Sequence, residues 1–151
     1  MAGYELLCFL DCYSGCHQIT LKEEDQIKTS FIMPFGAYCY MTMSFELKNA
    51  GATYQRAIQR CLNDQIEKNV KAYVDDVVVK SRTADTLIAY LTEVYKALKV
   101  YRWKLNPTKC IFGVPSGILL GNIVSHRGIE ANLEKIAAVT NMKPPTCVKD
   151  I

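Results

Sequence analysis

The amino-acid sequence predicts an α+β fold, a split βαβ arrangement of the ferredoxin-like kind, carried by a single domain of 151 residues. Three observations predict it. Short apolar runs rich in Val, Tyr and Ile alternate with longer stretches that repeat apolar residues every three or four positions. Those segments follow the order strand, helix, hairpin, helix, strand. Two strand ends also carry carboxylates, Asp11 and the pair Asp75-Asp76, and this layout sets those ends side by side.

Glu5-Leu6-Leu7-Cys8-Phe9-Leu10 is an apolar run of strand length, closed by Asp11. Ser14 to Leu21 reads as a short helical or irregular segment. Lys28 to Met33 and Tyr38 to Met43 read as strands around the Pro34-Phe35-Gly36 turn, so this insert is a hairpin. Ala50 to about Ile66 is a helix, with Ala57, Ile58, Cys61, Leu62 and Ile66 recurring at helical spacing. Val70 to Val74 and Val77 to Val79 are hairpin strands. A second helix runs from Ala84 to Val100, and its stripe of Leu87, Leu91, Val94, Tyr95 and Leu98 belongs to the core. Cys110 to Val114 and Ile118 to Val124 read as strands, and Asn132 caps a helix to about Val139. Lys143-Pro144-Pro145-Thr146 is the one linker-like stretch.

A hydrophobic content of 50% with 22% charge fits a globular domain able to build a core. The net charge of +3 hides an asymmetry: residues 1–95 hold 9 Lys/Arg against 12 Asp/Glu, and residues 96–151 hold 9 against 3. An acidic half beside a basic half suits a site where metals meet carboxylates and nucleic acid lies on Lys and Arg. Seven cysteines without a regular pairing framework argue for a reducing compartment, cytoplasmic or nuclear. Cys8, Cys12, Cys16 and His17 form no C-x-x-C pair, which disfavours zinc. No apolar run approaches the ~20 residues needed to span a bilayer and no signal-peptide pattern is present, so no membrane partner is expected.

Tyr73-Val74-Asp75-Asp76 sets two acids at the bend of a tight hairpin. Asp is a good turn residue, and that reading alone would suffice for four letters. Carboxylates crowded beside a buried sheet, however, repel one another and lose hydration, and a divalent cation relieves both. Leu10-Asp11, 64 residues earlier, supplies a third carboxylate at a second strand end. Three carboxylates around two Mg²⁺ ions form a clamp on the attacking and leaving oxygens of an in-line phosphoryl transfer.

With these residues in hand, the chain resembles the palm domain of reverse transcriptases, with wording nearest to the gypsy-type LTR retrotransposons of plants. Leu10-Asp11-Cys12-Tyr13-Ser14-Gly15 with His17-Gln18-Ile19 resembles the first catalytic motif of that family. Lys28-Thr29-Ser30-Phe31 and Pro34-Phe35-Gly36 resemble the next stretch, and Leu47 to Arg56 resembles the helix that contacts template and nucleotide. Tyr73 to Asp76 resembles the catalytic hairpin, Lys104 to Cys110 the motif after it, and Leu119-Leu120-Gly121 the primer grip.

The resemblance implies a polymerase palm with a hairpin insert from the fingers side: residues 1–125 as palm and partial fingers, 126–151 as the start of the thumb. It implies template-directed addition of deoxynucleotides to a primer 3′ end with two Mg²⁺ ions, or Mn²⁺. Asp11, Asp75 and Asp76 would be catalytic and metal-binding, with the Cys12 carbonyl a further ligand. Lys109, with Lys104 as second choice, would sit near the leaving pyrophosphate. Cys16, Phe45, Glu46, Asn49 and Gln55 would line the nucleotide site. Implied partners are an RNA or DNA template-primer, deoxynucleotide triphosphates and the rest of a retrotransposon polyprotein, with self-association through strands left unpaired.

Three departures from the family pattern predict an impaired copy. Cys16 stands where a Tyr ring usually shuts out the ribose 2′-hydroxyl. Ser44-Phe45-Glu46 stands where Pro-Phe-Gly is usual, and like charges about 6 Å apart repel by about 3 kcal/mol at an effective dielectric near 20. The basic fingers and the later domains are not in the sequence, so the chain is expected to be a surviving segment of an element. The alternative function is a non-catalytic remnant that binds nucleic acid or a protein partner through its basic half.

Overall fold

The computed structural model describes residues 2–142; the Lys143–Thr146 linker lies outside them. Its centre is a four-stranded antiparallel sheet in the order β4-β5-β1-β6. The strands are β1 (Leu6–Asp11), β4 (Val70–Tyr73), β5 (Asp76–Ser81) and β6 (Ile111–Val114). Helices α2 (Ala50–Cys61) and α3 (Ala84–Val100) connect β1 to β4 and β5 to β6.

Alternation along β1 and β5 sorts side chains between the two faces. Cys8, Leu10, Val77 and Val79 enter a core with Tyr54 and Ile58 of α2 and Leu87, Val94 and Leu98 of α3. Each such Val or Leu contributes about 1.5–3 kcal/mol relative to exposure. Leu7 and Val78 face the other way, onto a second sheet of β7 (Ser116–Leu119), β8 (Asn122–Ser125) and β9 (Gly128–Glu130). Helix α3 starts at Thr83, whose hydroxyl accepts from the Thr86 N–H. Helix α4 (Leu133–Thr140) starts at Asn132, whose side chain accepts from the Glu134 N–H at 3.0 Å.

Several boundaries differ from expectation. Helix α2 ends at Cys61 rather than near Ile66, because Asn63 and Asp64 fall in a run of turns that begins at Leu62 and Glu67 takes a positive φ of 70°. The insert is shorter than expected: β2 (Phe31–Met33) pairs with β3 (Gly36–Tyr38), while Lys28 and Thr29 lie in a 3₁₀ turn. Beyond Tyr38 the chain makes a lone bridge, Thr20 with Thr42. The run from Ile118 to Val124 is not one strand. Leu120 and Gly121 take φ of 51° and 78°, folding it into the β7–β8 hairpin. Strand β4 stops at Tyr73, leaving Val74 in the turn with φ 47°. Helix α1 (Glu23–Gln26) and strand β9 carry too few residues for periodicity to reveal them. Among the described residues, no helix is long and apolar enough to cross a membrane.

Candidate active site

Register brings the acids together. Strands β1 and β5 pair from Leu6 with Ser81 to Asp11 with Asp76, so these two carboxylates leave the same end of the sheet. Asp75 is the preceding residue, in the tight turn that joins β4 to β5. The acids feel one another. Burial is the main cause that raises the Asp75 carboxyl above its usual range, and the Asp11 charge adds to it. Asp76, exposed at the start of β5, is raised first by partial loss of hydration, then by the charges of Asp75 and Asp11, while a backbone bond from Leu120 pulls the other way. Lys109 Nζ lies 4.0 Å from Asp11 Oδ2; with the Lys side chain 68% exposed, the pair contributes about 0–1 kcal/mol.

Cys12 follows Asp11 and pairs with Leu105 as an isolated antiparallel bridge. The flanking bonds run from the Tyr13 N–H to the Lys104 carbonyl and from the Asn106 N–H to the Asp11 carbonyl. In that pattern Cys12 directs its own N–H and C=O away from the 104–106 segment. Gln18 ties the same segment down: its amide N–H donates to the Tyr13 and Lys104 carbonyls, and its oxygen accepts from the Lys104 N–H. Lys109 is thereby carried to Asp11 on a braced loop.

The hairpin is held from below by α2. The Gln55 side chain donates to the Ala72 carbonyl at 3.0 Å and accepts from the Val74 N–H at 2.6 Å. Gln55 therefore contacts the turn that carries Asp75. Next to it, Tyr54 is fully buried, and its hydroxyl lies beside Asp75 Oδ1; neither atom has a hydrogen bond of proper geometry. Gly15 closes this corner, since a Cβ there would stand 2.6 Å from both Asp75 Oδ1 and the Tyr54 hydroxyl oxygen. Sequence reasoning passed over Gly15, Gln18 and Tyr54 as parts of motifs. The buried face of α2 is Ala50, Tyr54, Ile58 and Cys61, a helical spacing in which Tyr54 was legible.

The other expected residues divide. Cys16 is buried in the core close enough to Asp75 for that charge, after burial itself, to raise its thiol pKa. Leu120 reaches Asp76 through its backbone, so the β7–β8 turn of Leu119, Leu120 and Gly121 adjoins the acids. A cleft of about 350 Å³ runs beside them, lined by Tyr73, Asp76, Leu119 and Leu120 among others. Asn49 stands at the N-terminus of α2 without capping it, and Phe45 and Glu46 are exposed just before. In water, the repulsion expected of Glu46 at about 6 Å falls to about 0.7 kcal/mol.

The acidic end offers carboxylate oxygens and a free-pointing main-chain carbonyl, a set that suits a hard cation such as Mg²⁺, while the neighbouring Cys12 and Cys16 thiols are buried. The side chains do not form a closed cage: among the described residues, no three of His, Cys, Asp and Glu converge as a ready-made metal cluster. Mutual repulsion of like charges favours that spread.

Residues 1–144 match the family model of the reverse transcriptase (RNA-dependent DNA polymerase). The retrovirus-related Pol polyprotein from transposon opus of Drosophila melanogaster is 39% identical over 94% of this chain, which spans 14% of that polyprotein. The Pol polyprotein from transposon gypsy of the same fly is 37% identical over 92% of the chain and 13% of its own length. Among solved structures, the foamy viral protease-reverse transcriptase in complex with an RNA/DNA hybrid superimposes with a TM-score of 0.85 at 16% identity, covering 99% of this chain and 20% of that one. The same viral protein in complex with double-stranded DNA gives 0.88 at 17% identity, covering 99% and 26%. The mixed α/β fold with antiparallel sheets is that of the viral polymerase domain. By sequence, the chain belongs to the reverse transcriptase (RNA-dependent DNA polymerase) family, and its relatives are gypsy-like retrotransposon Pol polyproteins.

Proposed function

We propose that this chain is the palm, with part of the fingers, of a retrotransposon reverse transcriptase, and that it serves template-directed addition of deoxynucleotides to a primer 3′ end. The observation that carries the reading is the register of β1 on β5, which sets Asp11 opposite Asp76 with Asp75 in the adjoining turn. The sheet order β4-β5-β1-β6 supports a split βαβ palm, because in it the first strand lies beside the central hairpin. Residues 1–125 are read as palm and partial fingers and 126–151 as the start of the thumb; β9 pairs with β8 across that boundary.

Asp11, Asp75, Asp76 and the Cys12 carbonyl are the groups that would hold divalent ions. Bound Mg²⁺ or Mn²⁺ supplies charge neutralisation and activation of the primer hydroxyl in this class of chemistry. The chain's own residues do the rest. Gln55 holds the turn that presents Asp75, and the braced 104–109 loop carries the Lys109 ammonium to the edge of the acidic pocket, where it can stabilise charge developing on a leaving phosphate. The turn at Leu119, Leu120 and Gly121 borders the cleft on the Asp76 side, the place for a primer end. Asn49, free of capping duty, with Phe45 and Glu46 lies on the approach to α2, where template and nucleotide are read to meet. Buried Cys16 leaves no ring in the position that would reject a ribose 2′-hydroxyl.

Template-primed incorporation in Mg²⁺ or Mn²⁺, compared between the chain and Asp75→Asn, tests the proposal. Incorporation should fall by at least about a hundredfold, the scale on which removing one electrostatic group from a polar transition state acts. Equal incorporation by both proteins would leave the binding-only alternative standing.

A further inference from the structure

The Tyr54 hydroxyl is a polar group placed where an apolar ring would fill the same space. The ring is fully buried and meets Trp103 edge-on, with centroids 5.3 Å apart and planes at 85°, so the tyrosine has little freedom to turn away. Its oxygen lacks a hydrogen-bond partner, and so does Asp75 Oδ1 beside it. Buried hydroxyls and carboxylates seldom remain unpaired, because each forfeits its hydration without return. The glycine at position 15 is what permits the approach, since a side chain there would collide with both atoms. Two unpaired groups of opposite hydrogen-bonding character, one able to donate and one able only to accept, therefore face each other in a corner shaped to admit them. The Cys12 thiol is the other polar neighbour, and sulfur is the weaker acceptor.

We infer that Tyr54 is a positioning residue that donates its phenolic hydrogen to Asp75 Oδ1, anchoring that oxygen in the protein and leaving Oδ2 as the oxygen available to a cation. The aspartate then acts through one oxygen, at an orientation fixed from α2 by two consecutive side chains: Gln55 on the backbone of the turn and Tyr54 on its carboxylate. The consequence for metal capture rests on the proposed function; the hydrogen bond itself does not.

The test uses the 151-residue chain and two readouts. In ultraviolet resonance Raman, the difference between the wild type and Tyr54→Phe isolates the signal of this tyrosine. It should show a strong donor to carboxylate, and the same difference taken in a Cys12→Ala background should be unchanged. In Mn²⁺ titrations followed by electron paramagnetic resonance, Tyr54→Phe should bind about tenfold more weakly, the lower end of what losing an outer partner of a metal-binding group costs. A Raman signature of a free or sulfur-bonded hydroxyl overturns the inference, as does an unchanged Mn²⁺ affinity in a folded Tyr54→Phe. Wild-type chain that binds no Mn²⁺ would sink the proposed function, while the Raman difference would still decide the hydrogen bond.

Discussion

Asp75 is held between conflicting demands. Its turn position calls for a short polar residue, yet the same turn lies against the buried ring of Tyr54 and the packed backbone of Gly15. Loss of hydration first, and the neighbouring acids next, make half-buried Asp75 and the more exposed Asp76 keep their protons more tightly in the folded chain than at the ordinary carboxyl value of 3.8. The folded state therefore binds more protons than the unfolded state between 3.8 and the raised values. Across that window stability falls as pH rises, and it levels off above. Denaturant midpoints measured from acid to neutral pH should show this decline, and Asp75→Asn should flatten it. A decline equally steep in Asp75→Asn would assign it to other groups. Lys109 moderates the penalty only slightly, because its ammonium is well exposed.

Helix α2 is the element on which the site depends. Its buried face joins the core at Ala50, Tyr54, Ile58 and Cys61, and from that fixed position Gln55 reaches the hairpin turn. Val74 is β-branched and sits at φ 47°, a conformation such residues rarely adopt. The bond from its N–H to Gln55 helps to offset that strain. Gln55→Leu keeps the volume but leaves the Ala72 carbonyl and the Val74 N–H without partners. Equilibrium unfolding should show a loss of about 1–3 kcal/mol. A loss below about 0.5 kcal/mol would mean that the turn holds its shape unaided.

At the scale of the whole molecule, one region stands apart from the core. Strands β2 and β3 form a two-stranded sheet whose side chains are exposed, with Ile32 at 88% and, in the turn between the strands, Phe35 at 90%. Phe31 packs on Tyr38 and Tyr40, with ring centroids 6.0 and 5.3 Å away, which keeps the hairpin together without giving it a partner. Two-stranded hairpins are marginal alone, and exposed apolar edges invite pairing between chains. Light scattering should therefore reveal self-association, and Ile32→Lys combined with Phe35→Ser should shift the chain towards monomer. If the doubly substituted chain associates as before, a different surface is responsible, the exposed Leu133 and Val139 side of α4 being next.

The sequence by itself determined the order of the main elements, the family, through its motifs, and which strand ends carry acids. Each of these is written in local terms: strand-length apolar runs, a 17-residue helical stripe from Ala84 to Val100, and acids where strands end. Only the tertiary structure decided that Gln55 spends its amide on the hairpin, that Cys16 lies in the core, and that Gly15 is empty space shared by Tyr54 and Asp75. It also decided where α2 stops and where the Ile118–Val124 run folds back on itself. The physical reason is common to them all. Apolar period and turn preference are properties of neighbours along the chain, whereas a hydrogen-bond partner, a burial or a forbidden Cβ is set by residues tens of positions away.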